Sequence, residues 1–242
     1  MHPSRQLPDN AATPGSKGRH RLLWETGRVL IGAVALFVVL QTFVVEAYKI
    51  PSGSMEHTLL PGDFLLVNKL EFGSSLPFTA RRLPPLSKPA LGEVVVFVFP
   101  VDPDKRYVKR IVGVPGDTLA MTGGWLLRNG QLVHEQYVTH QDPFTDPAEE
   151  AFNWQQSFLV KQEHDYRPTR DNWGPLVVPA GQYFVLGDNR DLSLDSRYWG
   201  FVPESLMLGI PLFVYYSFEP DSLATVPWLK NVRWRRLGHS IP

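Results

Sequence analysis

The chain has 242 residues, of which 43% are hydrophobic and 20% charged, a globular rather than a disordered composition. Lysine plus arginine and aspartate plus glutamate number 24 each, which argues against a nucleic-acid binder, because that class carries a basic surplus. Cysteine is absent, so disulfides, thiolate metal sites and a cysteine nucleophile are excluded, while 22 prolines and 19 glycines point to many turns and short strands.

Residues 1–28 read as a polar N-terminal tail, with 1–20 rich in Pro, Ser, Asn and Gly. Residues 29–40 are apolar throughout; Gln41 and Thr42 interrupt, and Phe43-Val44-Val45 resumes. This run of about 17 residues is at the short end for crossing a bilayer, and it predicts a transmembrane helix over 29–48. Trp24 and Tyr48 suit the two interfaces, about 36 Å apart on a continuous helix. Lys17, Arg19, Arg21 and Arg28 precede the run, so the positive-inside rule places the N-terminus in the cytoplasm and the rest outside. A cleavable targeting segment is the alternative, since Val45-Glu46-Ala47 offers small residues where such a cut is made.

Beyond the anchor the chain reads as mostly β. Phe64-Leu65-Leu66-Val67 and the runs 94–99, 107–114, 183–186 and 212–218 are rich in β-branched and aromatic residues. Asn129-Gly130 between Leu126-Leu127 and Leu132-Val133 predicts a hairpin with a tight primed turn. Residues 73–90 form a Pro- and Ser-containing loop. The expected division is a main β-domain over 49–122 and 176–219, an inserted subdomain over 123–175 and a basic, aromatic segment over 220–242. That last segment mixes Trp228 and Trp234 with cations, which suits either a lipid interface or packing against the domain.

Three stretches carry chemistry. Pro51-Ser52-Gly53-Ser54-Met55-Glu56-His57-Thr58-Leu59 presents a serine in a Ser/Gly turn just after the apolar run. Tyr107-Val108-Lys109-Arg110-Ile111-Val112-Gly113-Val114-Pro115-Gly116-Asp117 places Tyr107, Lys109 and Ile111 on one face of a strand, where burial lowers the pKa of a lysine. Gly187 to Pro203 packs Asp188, Arg190, Asp191, Asp195 and Arg197 into one loop with alternating sign.

These blocks, in this order behind one apolar run, resemble the bacterial type I signal peptidases, from about Val29 to Pro203. The resemblance implies a membrane-anchored serine endopeptidase that removes signal peptides after small residues at positions −3 and −1. It implies Ser54 as nucleophile, Lys109 as base and Ser52 as oxyanion donor. Ser193 is expected to hydrogen-bond and orient Lys109, Asp195 and Arg197 to pair, and Gly187 to leave room for substrate. Ile50, Met55, Leu59, Tyr107 and Val108 match the family's substrate pockets. The implied partners are signal peptides of exported preproteins and the lipid bilayer, with no metal or cofactor and no nucleic acid. The implied place is the bacterial cytoplasmic membrane, in a single pass with the catalytic domain on the extracytoplasmic side. His57 stands where the family usually has proline. Two rival readings are a specialised Ser/Lys maturation peptidase and a catalytically inactive, membrane-anchored binding domain; retention of Ser52, Ser54, Lys109 and Ser193 together argues against the second.

Overall fold

The N-terminal apolar run forms one long helix, and the chain beyond it is mostly strand. A computed structural model describes residues 16–73, 83–142, 144–220 and 227–242. The first fifteen residues of the expected tail, and residues 74–82 of the expected loop, lie outside the described residues. By its contacts the chain forms two compact units, 1–41 and 42–242. Helix α1 (Ser16–Phe43) exposes Val29, Leu30, Ile31, Val34, Leu36, Phe37 and Val38. Among the described residues no helix is long and apolar enough to cross a membrane.

The expected helix over 29–48 needs correction at both ends. It begins earlier, at Ser16, and it stops at Phe43. Val45–Lys49 is instead strand β1, antiparallel to β2 (Asp63–Asn68), with Val45 opposite Asn68 and Lys49 opposite Phe64. The sequence hides this junction because apolar residues continue through it. Val44 and Val45 are β-branched, and such residues suit a strand better than a helix. Tyr48 therefore belongs to the β-body and does not mark a helix end.

The remaining strands are β3 (Val94–Val98), β4 (Arg106–Gly113), β5 (Thr118–Thr122), β6 (Trp125–Arg128), β7 (Gln131–Leu132), β8 (Trp173–Val177), β9 (Gln182–Leu186), β10 (Val202–Pro203), β11 (Met207–Ser217) and β12 (His239–Ser240). One sheet runs β1-β2-β11-β3-β4-β9-β10, with β12 added beside β11; a second runs β7-β6-β5-β8. Strand β3 is buried on both faces, which is why it reads as an unbroken apolar run. Val94 and Val96 pack with Ile50, Met55 and Leu59, whereas Val95 and Phe97 pack with Ile111, Tyr183 and Val185.

The hairpin expected at Asn129-Gly130 is present: Arg128 pairs with Gln131, and both turn residues have positive φ, 53° and 78°. That is the backbone a primed turn requires. The second sheet includes β5 before the expected insertion and reaches Val177 beyond it, so the boundaries 123 and 175 fall inside one structural unit.

The C-terminal segment is likewise not separate from the domain. Ser240 pairs with Phe213, and Arg233 donates to the Pro61 carbonyl at 2.8 Å. Arg236 meets the fully buried Asp63 carboxylate at 2.6 and 2.9 Å and donates to the Thr58 carbonyl at 3.0 Å. Ser217 Oγ and the Leu60 N–H complete the Asp63 shell. Removing one partner of such a pair leaves an uncompensated buried charge, at a cost of about 3–5 kcal/mol. Arg236→Ala is therefore expected to lower unfolding stability by about that amount in a denaturant titration. A change under about 1 kcal/mol would show that Arg236 is a surface residue only.

Candidate active site

The turn after β1 and strand β4 meet at one point, and there the structure places a serine against a lysine. Lys109 Nζ lies 2.5 Å from Ser54 Oγ and donates to the Val108 carbonyl at 3.1 Å. The two residues are 55 positions apart, so only the fold joins them. Lys109 is paired across the sheet with the fully buried Val95, and its ammonium stands 5.6 Å from the Tyr107 ring. Burial pulls its pKa from 10.5 down to about 8; the charges of Asp195 and Asp188 oppose that shift and Arg197 adds to it.

Both of those carboxylates are neutralised by arginines. Arg197 clasps Asp195 in a two-point pair at 2.8 Å each, with both side chains fully buried. Burial pushes Asp195 up, but the guanidinium, its hydrogen bonds and the Gly187 N–H outweigh it and hold the carboxyl below the usual range. Arg197 also donates to the Arg190 carbonyl at 2.6 Å, which ties down the loop it belongs to. Arg110 clasps Asp188 in the same way, at 2.9 and 2.8 Å, and Thr58 Oγ1 donates to Asp188 at 2.5 Å. The Arg110 guanidinium stacks 3.9 Å from the centre of the Tyr137 ring. Sequence reading missed this second pair. Alternation placed Arg110 on the face opposite Lys109, but it gave no sign that this face is also buried.

The same loop holds the Ser54 turn by its backbone. The Asn189 N–H donates to the Ser54 carbonyl at 3.2 Å, and its side-chain amide donates to the Gly53 carbonyl and to Glu56, each at 3.3 Å. Gly187 sits where the loop touches the turn. A β-carbon there would run into Ser193 Oγ and the Ser54 carbonyl oxygen. The room that Gly187 leaves is thus filled by the turn itself and by Ser193.

Ser193 does not make the expected hydrogen bond to Lys109. Its buried hydroxyl is turned toward the Asp195 carboxylate and completes no hydrogen bond of standard geometry. Lys109 gives its second bond to Val108 instead. His57 has φ of +83° and is exposed. Proline, fixed near −65°, cannot adopt the backbone that His57 has here.

Beside Ser54 lies a cleft of about 370 Å³ lined by Tyr48 to Ser52, Ser54, Met55, Arg106 to Lys109, Leu192 and Leu194. Ile50, Met55, Tyr107 and Val108, which the resemblance assigns to substrate pockets, all line this cleft. Leu59 does not: it is fully buried in the core beneath Ile50 and Met55. Leu192 and Leu194 were not anticipated; they are half exposed among the charged residues of the loop, and an exposed leucine carries no signal on its own. Strand β4 pairs with β9 only from Arg110 onward, so residues 106–109 have a ladder partner on the β3 side alone. Among the described residues strand β1 pairs only with β2. The cleft is therefore bordered by two open strand edges, a surface that accepts an extended peptide through main-chain hydrogen bonds.

A family model described as signal peptidase, peptidase S26, matches residues 23–216. The chain belongs to this family. Signal peptidase I of Pseudomonas aeruginosa is 37% identical over 227 residues, covering 87% of this chain and 78% of its own. Signal peptidase I of Aquifex aeolicus is 32% identical over 228 residues, with coverages of 80% and 84%. Among solved structures, a signal peptidase I from Enterococcus faecalis is 30% identical, with a TM-score of 0.35, covering 51% of this chain and 96% of that one.

The packing around Gly187 yields a prediction for this site. Gly187→Ala must push the Ser54 carbonyl or Ser193 aside, and a misplacement of about 1 Å in a catalytic group costs about 100-fold. The kcat of Gly187→Ala is expected to fall by about that factor with KM little changed, as read from steady-state kinetics. A kcat within twofold of wild type would show that the contact has slack.

Proposed function

We propose that this chain is a serine endopeptidase that removes N-terminal signal peptides from exported preproteins, cutting after small residues at −3 and −1. The observation that carries the reading is the 2.5 Å approach of Ser54 Oγ to a buried Lys109 whose pKa falls to about 8. In its neutral form Lys109 takes the proton from Ser54 as the hydroxyl attacks the scissile carbonyl. Ser52, exposed on the cleft wall two residues earlier, and the Ser54 N–H donate to the oxygen that gains charge. The leaving amine takes the proton from Lys109, and neutral Lys109 then activates water to release the acyl group. The peptide lies extended along the open edges of β1 and β4, and its alternate side chains enter the shallow apolar wall of Ile50, Met55, Tyr107 and Val108.

The anchor belongs to the same reading. Residues 29–43 of α1 hold the chain in the bacterial cytoplasmic membrane in a single pass, with the N-terminus cytoplasmic and the β-body outside. The apolar side chains exposed along α1 and the cations before them support this. Trp228, Leu229 and Trp234 are exposed on the C-terminal segment, which is itself pinned to the body, and they suit contact with the lipid headgroups.

The decisive experiment is cleavage of a model preprotein beside the Ser54→Ala and Lys109→Arg variants. Both are expected to be inactive, the second because guanidinium stays charged. Wild-type kcat/KM is expected to rise with pH through an apparent pKa of about 8, because the neutral amine is the active form. Stability is linked to the same group. Folding lowers the Lys109 pKa from 10.5 to about 8, so the unfolded chain binds more protons in that window. Stability from Lys109 is therefore full above about 10.5 and lost as pH falls through 8, a slope that Lys109→Met removes. Activity in Lys109→Arg, or a flat pH profile, would remove lysine as the base.

Ser52 provides an independent test of the oxyanion site. Losing one such donor typically costs about 100- to 1,000-fold in turnover. Ser52→Ala is expected to lower kcat by that range with little effect on KM, because the donor acts on charge that develops only in the transition state. An unchanged kcat with a raised KM would make Ser52 a residue that positions substrate.

A further inference from the structure

The loop from Gly187 to Arg197 is built inside out. Its charged side chains Asp188, Arg190, Asp195 and Arg197 are buried, and Asp191 is turned onto His140 and Arg170. Leu192 and Leu194, by contrast, are 60% and 50% exposed. Ser193 between them is buried, so the two leucines share the loop's outer side. Of the whole loop only these two residues line the cleft beside Ser54. A single exposed leucine is ordinary. Two that face a cleft, while the charges around them are turned inward, expose apolar area where a ligand passes.

The sheet determines which part of a substrate passes there. Strand β4 has an open edge at residues 106–109, and β9 takes that same edge from Arg110 onward, with Leu186 opposite Arg110. The chain leaves β9 at Gly187, which packs against the Ser54 carbonyl and Ser193. A peptide laid on the open edge therefore runs end-on into this loop at the level of Lys109 and Ser54. Its residues before the cut occupy the edge, between β4 and β1. Those after the cut have no edge left to pair with and turn out over the loop, whose outer side carries Leu192 and Leu194.

We propose that Leu192 and Leu194 form an apolar subsite for the first two residues after the cut, positions +1 and +2, which favours apolar side chains there. The proposal rests on the peptidase reading and adds to it a specificity for the released chain. An apolar side chain at +1 or +2 covers leucine surface that is otherwise wet. Asparagine, close to leucine in size, brings an amide that finds no hydrogen-bond partner on two leucines.

The test uses synthetic peptides with alanine at −1 and −3, cleaved by the full chain in detergent. Leucine and asparagine are compared at +1, at +2 and, as a control, at +6, about 17 Å beyond +1 on an extended chain. A methylene in a closed apolar pocket changes kcat/KM by about 10- to 200-fold. This wall is open on one side, so leucine is expected to exceed asparagine by about tenfold at +1 or +2, and by under about twofold at +6. Leu192→Gln/Leu194→Gln is expected to bring the +1 and +2 ratios close to one, and Leu192→Met/Leu194→Met to keep them. Because each readout is a ratio within one variant, a general loss of activity or of folded protein does not imitate it. Ratios near one at +1 and +2, or a preference there that survives the double glutamine variant, would overturn the subsite. So would an equal leucine preference at +6, which would assign the effect to the detergent surface. Failure to cleave any peptide of the series would overturn the peptidase reading, and the subsite with it.

Discussion

The rest of the site depends on lowering the pKa of one lysine in the company of two buried carboxylates. Burial alone lowers the Lys109 pKa, but Asp188 and Asp195 both pull it back up. A bare carboxylate a few ångströms away in low dielectric acts on an amine more strongly than water screening would allow on a surface. The fold meets this with two arginines, each fixed in a two-point pair on one aspartate. At Lys109 the charge of Arg197 offsets part of the pull of the two carboxylates, and burial is the largest influence on its pKa. The buried ion pairs are weak evidence of net stability, since desolvating four charges costs about as much as the pairing returns. Their evident effect is on the protonation state of a fifth charge.

The same pairs also build the geometry. Arg197 holds the carbonyls of its own loop, Asp195 takes the Gly187 N–H, and Gly187 lies against the Ser54 carbonyl. Arg110 comes from β4, immediately after Lys109, and reaches Asp188 in the loop; Thr58, just past the Ser54 turn, reaches the same carboxylate. Serine, lysine and loop are therefore cross-linked by charge-assisted bonds that leave little freedom at the point of reaction. An unstrained apolar core would fix the strands but not the azimuth of one hydroxyl against one amine. The polar shell supplies that direction.

How much the sequence made legible depends on the range of each signal. Asn129-Gly130 is a local signal, because two adjacent residues that tolerate positive φ suffice to specify a turn, and the structure has that turn. The unbroken apolar run of β3 is local too. Ser54 and Lys109 stood out through the company of their motifs, and the structure brings them to 2.5 Å. Other features depended on register or on three-dimensional packing and left no local mark. The partner of Arg110 is 78 positions away, and its pairing depends on the loop's path. Ser193 lies one residue from exposed leucines on either side, so its direction is set by a backbone path that alternation does not give. The end of α1 was hidden because apolar residues run on through it into β1, so hydropathy shows no break there.

That hidden junction has a structural consequence. Strand β1 begins two residues after α1 ends, and the Ser54 turn begins two residues after β1. The antiparallel ladder with β2 fixes the register of those five residues, and a one-residue slip would exchange Tyr48 and Ile50 for Lys49 on the inner face. Such a slip would put a cation where the apolar wall is and turn Ser54 away from Lys109. The register is held at its far end by Asp63, which accepts from Leu60, Ser217 and Arg236, while the Ile50 N–H donates to the Asp63 carbonyl at 2.8 Å. A buried carboxylate at the base of β2 and an arginine from the C-terminal segment thus fix how far Ser54 extends along the cleft.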